Sequence, residues 1–240
     1  TRFRNVTGVQ TCALPIYAPY ALYQAALQSE RLGQDKNYRD ANAIIERLVT
    51  KYPHSSLVFA ARLKEGDLFR RLNDFSRAQL VYEELVNKFP QHGDVIYAKL
   101  ALAETLNAQN PNNDAHVADV QARFESLRDL ADEQHIDVRV EAGYNLGALW
   151  LRRDDPKKAL EVWWRDVAGE FLFKEERAAR LGSTGRFWMA RTLLEAGALF
   201  EKQEKLEEAQ RAWRLVMEAK LGHGESTAKA KLAEKRTMCW

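Results

Sequence analysis

A chain of 240 residues with 46% hydrophobic and 29% charged side chains has the composition of a folded, soluble protein. Past its first sixteen residues, no uncharged run approaches the roughly eighteen that a membrane span needs. Thirty-six basic against thirty-four acidic residues leave a net charge of +2, interleaved in sign as in "EKQEKLEEAQR". That is the pattern of a solvated helix face rather than the basic stripe of a nucleic-acid binder.

The first residues stand apart. Val6 to Ile16 reads "VTGVQTCALPI", which resembles the codon-by-codon translation of a sequencing adapter, so residues 1–16 are set aside as an artefactual or disordered leader. The natural sequence is then expected to begin near Tyr17, with whatever preceded it lost. Of the two cysteines, Cys12 lies in the leader and Cys239 is next to last, so no disulfide or metal framework is expected.

From there the chain reads as paired helices. Ala25, Leu32, Tyr38, Ala41, Ile45, Leu48 and Pro53 form a first unit. The clearest unit runs from Phe59 to Pro90. Arg62, Gly66 and Phe69 follow at helical spacing, Asn73 and Asp74 make a turn, and Phe75, Ala78, Tyr82 and Leu85 share the next face until Pro90 stops it. Ala41 to Ala78 and Pro53 to Pro90 are both steps of 37, and the 37-residue step is expected for this pair only.

A third unit has Leu100, Ala103 and Leu106, then Val120, Phe124 and Leu127, around a long turn with a breaker cluster at Asn110 to Asn113. A fourth has Leu146, Gly147, Trp150, Ala159 and Trp163, with Asp155 placed as the helix cap and Pro156 in the first turn. A fifth has Leu193, Gly197, Phe200, Leu206, Ala209 and Trp213. Since Ala159 to Ala209 is 50, one extra short helix is expected over Glu170 to Leu181. Ser226 to Glu234 reads as a polar capping helix.

The order small residue, aromatic, turn, aromatic, Ala, aromatic, Leu, Pro resembles the tetratricopeptide repeat. That resemblance implies an all-α fold, a right-handed superhelical solenoid of antiparallel helix pairs, with about five repeats over 17–225 and a capping helix and tail over 226–240. The "KYPHSS" and "KFPQHG" endings resemble a narrower group, the bacterial Tol-Pal-associated and outer-membrane assembly lipoproteins, which implies a periplasmic or cell-envelope setting.

Little in the sequence points to catalysis. His54, His92, His116, His135 and His223 are scattered singly, without the close second ligand of a zinc site. "GHGES" lacks the serine between glycines of a hydrolase elbow, and "RLGSTGRF" lacks the GK[ST] of a phosphate loop. Adjacent carboxylates such as Asp154 with Asp155 and Glu83 with Glu84 point to different sides of a helix. Trp150, Trp163, Trp188 and Trp213 fall on apolar faces, while Trp164 is read either as packing on the inserted helix or as part of a binding surface.

No catalytic residue, metal or cofactor is therefore expected. The resemblance implies that the first helices of successive repeats line a groove for a protein or peptide. On those helices the expected exposed groove residues are Lys64, Asp67, Arg71, Tyr97, Glu104, Asn107, Tyr144 and Asn145. Ala26 and Leu63 stand where a carboxylate-clamping lysine would be expected, which favours an extended peptide or a partner helix. The alternative is the repeat region of a larger enzyme whose catalytic domain lies elsewhere.

Overall fold

The computed structural model describes residues 10–109, 114–131 and 133–237, with backbone alone for 10–16 and 235–237. The breaker cluster at Asn110 to Asn113, the leader residues 1–9 and Cys239 lie outside the described residues. The backbone of 10–16 forms the first turns of α1. Every regular element among the described residues is helical. Two compact units divide the chain, residues 1–113 and 114–240.

The first unit holds α1 (Gln10–Arg31), α2 (Asp35–Lys51), α3 (Val58–Arg71), α4 (Phe75–Lys88) and α5 (Val95–Gln109), each packed on the next. The second holds α6 (Asp114–Arg128), α7 (Ile136–Arg152), α8 (Pro156–Leu160), a π-helical segment (Glu161–Ala168), α9 (Gly169–Phe171), α10 (Glu175–Ala178), α11 (Ser183–Lys202), α12 (Leu206–Glu218) and α13 (Glu225–Thr237). There α6 packs on α7, α7 on α8, the π segment and α11, α11 on α12, and α12 on α13.

Small residues set these pairings. A Cβ at Gly66 would overlap the ring of Tyr82, one at Gly147 the indole of Trp163, and one at Gly197 the indole of Trp213. Each pair is sixteen residues apart, and the three aromatic rings are 0–1% exposed. The missing side chain is thus what lets the second helix press its largest residue against the first.

The turns between paired helices repeat as well. Asn73, Asp154 and Glu204, each seven residues past its glycine, take left-handed backbone angles (φ 58°, 59° and 61°). The next amide then donates back to an aromatic residue's carbonyl: Asp74 to Phe69, Asp155 to Trp150, and Lys205 to Phe200, at 2.9, 3.0 and 2.9 Å. This closes the first helix in the Schellman manner. Asp74 and Asp155 then cap the second helix by accepting from the Arg77 and Lys158 amides at 3.1 and 3.0 Å, whereas Lys205 provides no such cap.

Two expectations change. The 37-residue step does not stop at the first pair: Glu30, Asp67 and Glu104 stand 37 apart on α1, α3 and α5, as do Ser29, Gly66 and Ala103. The segment from Glu170 to Leu181 is not one inserted helix. Phe171 is 1% exposed and ends the preceding helical run, four residues after the buried Val167, as Phe89 follows Leu85. Only Glu175–Ala178 is a separate helical turn.

The π segment has a cause in the sequence. Ala41, Ile45 and Leu48 step by four and then three, as do Ala78, Tyr82 and Leu85, and Ala209, Trp213 and Val216. Ala159, Trp163 and Val167 step by four and four. A regular helix would turn Asp166 into the core in place of Val167. Widening to the π form absorbs the extra residue, buries Val167 completely and leaves Asp166 facing Arg128 at 3.0 Å.

Candidate binding face

In the first unit an ion-pair ladder joins the first helices of successive repeats. Lys64 and Arg71 of α3 both reach Glu30 of α1, at 3.2 and 3.3 Å, and Arg70 of α3 reaches Glu104 of α5 at 2.8 Å. Asp67, between them, lies 3.8 Å from Lys64 and accepts a 2.8 Å hydrogen bond from the phenol of Tyr82. Burial pushes the Asp67 carboxyl above the usual carboxylate range, opposed by the Tyr82 hydrogen bond and by Lys64. Burial and the Asp67 charge push the Tyr82 phenol upward.

The ladder includes four of the expected residues, Lys64, Asp67, Arg71 and Glu104. Lys64, Asp67 and Arg71 share one face of α3, and Tyr97 and Glu104 stand two turns apart on α5. Asn107, also on α5, is half-buried. Arg71 and, on α5, Tyr97 are exposed, the guanidinium of Arg71 lying 5.6 Å from the ring centre of Tyr38. A cleft of about 390 Å³ lined by Asp67, Arg70, Arg71 and Phe75 opens beside them. Glu30, Arg70, Tyr38 and the Tyr82 phenol contact the expected residues without having been expected on this face themselves. The acid repeated at 37-residue intervals was the signal that could have found Glu30.

In the second unit Tyr144 is not the exposed residue expected. It is 8% exposed, because its ring lies 6.0 Å from Trp163 and 4.8 Å from Trp188, under the Arg191 guanidinium at 5.1 Å. Its carbonyl also accepts from the Trp163 indole at 3.0 Å. Asn145 is half-buried. The positions matching Glu30, Asp67 and Glu104, one past the small residue, are Ala148 and Ala198, so the acidic column belongs to the first unit.

Other singled-out residues find structural places. Trp164 packs edge-on against Phe173 and Phe200, at 5.5 and 5.4 Å, beneath Arg211. Trp163 and Trp213 are core, while Trp150 and Trp188 are half-buried. The glycines of "RLGSTGRF" surround the carboxylate of Asp137, which accepts from the Gly182 amide at 2.9 Å and lies where a Cβ at Gly182 or Gly185 would be. That loop cradles one of the chain's own anions. Among the described residues no three His, Cys, Asp or Glu gather as metal ligands, and no helix is long and apolar enough to cross a membrane.

Paired helices locked by a glycine against an aromatic ring, with like faces of the first helices in register, define a helical repeat protein. Residues 20–55 and 60–92 match the tetratricopeptide repeat family model. Similar solved structures include a thermophilic tetratricopeptide protein of Thermus thermophilus, at 13% identity and TM-score 0.55, covering 90% of this chain and 97% of the other. MamA (41-end) of Desulfovibrio magneticus RS-1 is 13% identical at TM-score 0.54, covering 85% and 96%. BtubC of P. vanneervenii is 16% identical at TM-score 0.57, covering 84% and 82%. At such identities the likeness is one of fold. No curated protein sequence matches the chain.

Proposed function

We propose that this protein is a non-enzymatic scaffold that holds an extended peptide or a partner segment on the face formed by α1, α3 and α5. The ladder from Glu30 through Lys64, Asp67 and Arg70 to Glu104 is the observation that carries the reading. Its internal pairs hold long side chains in fixed positions, so a ligand meets a preorganised polar surface. Arg71 of the ladder and Tyr97 of α5, both exposed, supply the guanidinium and the aromatic face that dominate recognition surfaces. The partner is protein rather than nucleic acid. The finer reading is a role in bacterial cell-envelope maintenance, supported by the Tyr52–Pro53 and Phe89–Pro90 endings.

The test places a photo-crosslinking phenylalanine at Tyr97 and, as control, at Leu80, which is 64% exposed on α4. Adducts with one defined protein are expected from the Tyr97 probe and not from Leu80, and Arg71→Ala should remove them without loss of helicity. Equal labelling from both positions would refute the face. Tyr144→Ala is unsuitable as a probe, because emptying a ring packed against two tryptophans disturbs the core.

A further inference from the structure

A second cleft opens in the first unit on the other side of α3. Its volume is about 410 Å³, and Asn42, Ala43 and Glu46 of α2, Glu65 and Phe69 of α3, and Arg77 of α4 are among its lining residues. Asn42 is 9% exposed, and neither its Nδ2 nor its Oδ1 has a hydrogen-bond partner among the described residues. Buried carboxamides are nearly always satisfied, so this one calls for an explanation.

The second repeat supplies the contrast. Gln79 stands 37 residues after Asn42, and its Nε2 donates to Glu83, four residues on, at 2.8 Å. Asn42 likewise has a glutamate four residues on, Glu46, but its side chain is one methylene shorter and the bond is not made. Two groups are thereby left open. The carboxamide offers an adjacent donor and acceptor, and Glu46 has no ion-pair partner among the described residues.

The cations nearby are engaged elsewhere. Arg77 is paired to Asp74 at 2.6 Å and lies 5.0 Å from the Phe69 ring centre. Arg39 is 3.8 Å from Asp35, and Arg62 is 2.6 Å from Glu65. Glu65 is itself 7% exposed, and burial raises its carboxyl above the usual range against the pull of Arg62. Of the lining acids, Glu65 is answered by Arg62 and Asp74 by Arg77, which leaves Glu46 as the one without a cation among the described residues.

We propose that this cleft is a second peptide site, pairing the Asn42 carboxamide with one backbone amide unit of an extended partner segment and Glu46 with its basic side chain. A backbone unit presents the N–H and C=O that Oδ1 and Nδ2 need, and a lysine or arginine supplies the missing positive charge. The site is separate from the α1, α3, α5 face and does not depend on that reading.

The test follows the Asn42 side-chain amide of the full chain by ¹H–¹⁵N NMR while N-acetyl-lysine N′-methylamide is added. A saturable shift is expected, with little or none from N-acetyl-glutamate N′-methylamide. Asn42→Gln, which restores the arrangement of the second repeat, should abolish the shift of neighbouring backbone amides and raise the melting temperature. Glu46→Gln, at an exposed position, should erase the preference for the lysine probe. No shift at Asn42, equal shifts from both probes, or undiminished binding by Asn42→Gln would overturn the proposal. A lowered melting temperature of Asn42→Gln would overturn it too, as the mark of an enclosed water already satisfying the carboxamide.

Discussion

At the scale of single residues, the repeats differ in how well each solves the same local problem. Every described turn seven residues past a packing glycine needs a left-handed residue, and Asn73 and Asp154 suit it because their short polar side chains tolerate that region. Glu204 occupies the same conformation without that advantage, and Lys205 follows where Asp74 and Asp155 cap the next helix. Replacing the pair by the second repeat's own residues, Glu204→Asn with Lys205→Asp, should relieve backbone strain and satisfy an amide at the start of α12. The expected gain is about 1–2 kcal/mol, read as a higher melting temperature and as slower hydrogen exchange in the first turn of α12. An unchanged stability would show that the α11–α12 turn is held by something other than its local chemistry.

At the scale of elements, the π segment records one extra residue. In α4 the interval from Tyr82 to Leu85 is three; in the fourth repeat, Trp163 to Val167 is four, and the helix widens to keep both in the core. Deleting Asp166 should restore the regular interval, losing the ion pair to Arg128 but costing no more than about 1–3 kcal/mol. Deleting Glu83 from α4 shortens a correct interval, turns Leu85 out of the core and should unfold the second repeat. Melting curves of the two deletions decide the matter, since similar losses would mean that the spacing does not cause the π form.

The same spacing explains what the sequence disclosed. Helix pairs, caps and packing glycines were legible because each is a short pattern of fixed chemistry, such as Gly147 with Trp163 or Asp155 before Pro156. The π segment was legible in principle from the step Ala159, Trp163, Val167, yet Trp163 and Trp164 side by side hid which residue continued the face. The 50-residue step from Ala159 to Ala209 puts Phe171 in an insertion, and no proline follows it to mark the helix end as one does after Tyr52 and Phe89. The exposure of Tyr144 was misjudged because Trp188 and Arg191, which cover it, come from α11, more than forty residues away. Of the candidate face, the sequence places Lys64, Asp67 and Arg71 together on α3 but not Glu30 and Tyr38 beside them, since those contacts run between repeats.

At the scale of the whole molecule, the charges are nearly balanced and largely spent on one another. The 36 basic residues are met by 34 acidic ones, and the ladder of the first unit answers Glu30, Asp67 and Glu104 with Lys64, Arg70 and Arg71. A ligand that binds there exchanges a few hydrogen bonds and one or two ion pairs rather than displacing a sheath of counterions. Its affinity should therefore fall by less than about tenfold between 50 and 200 mM salt, whereas six to ten phosphate contacts would cost about 10³–10⁵. Fluorescence anisotropy with the crosslinked partner's own peptide, alongside duplex DNA and single-stranded RNA of equal length, separates the two classes. A shallow salt slope with the peptide and no binding of either nucleic acid at 50 mM salt is the expected outcome. A steep slope shared by all three ligands would overturn the assignment of a protein partner.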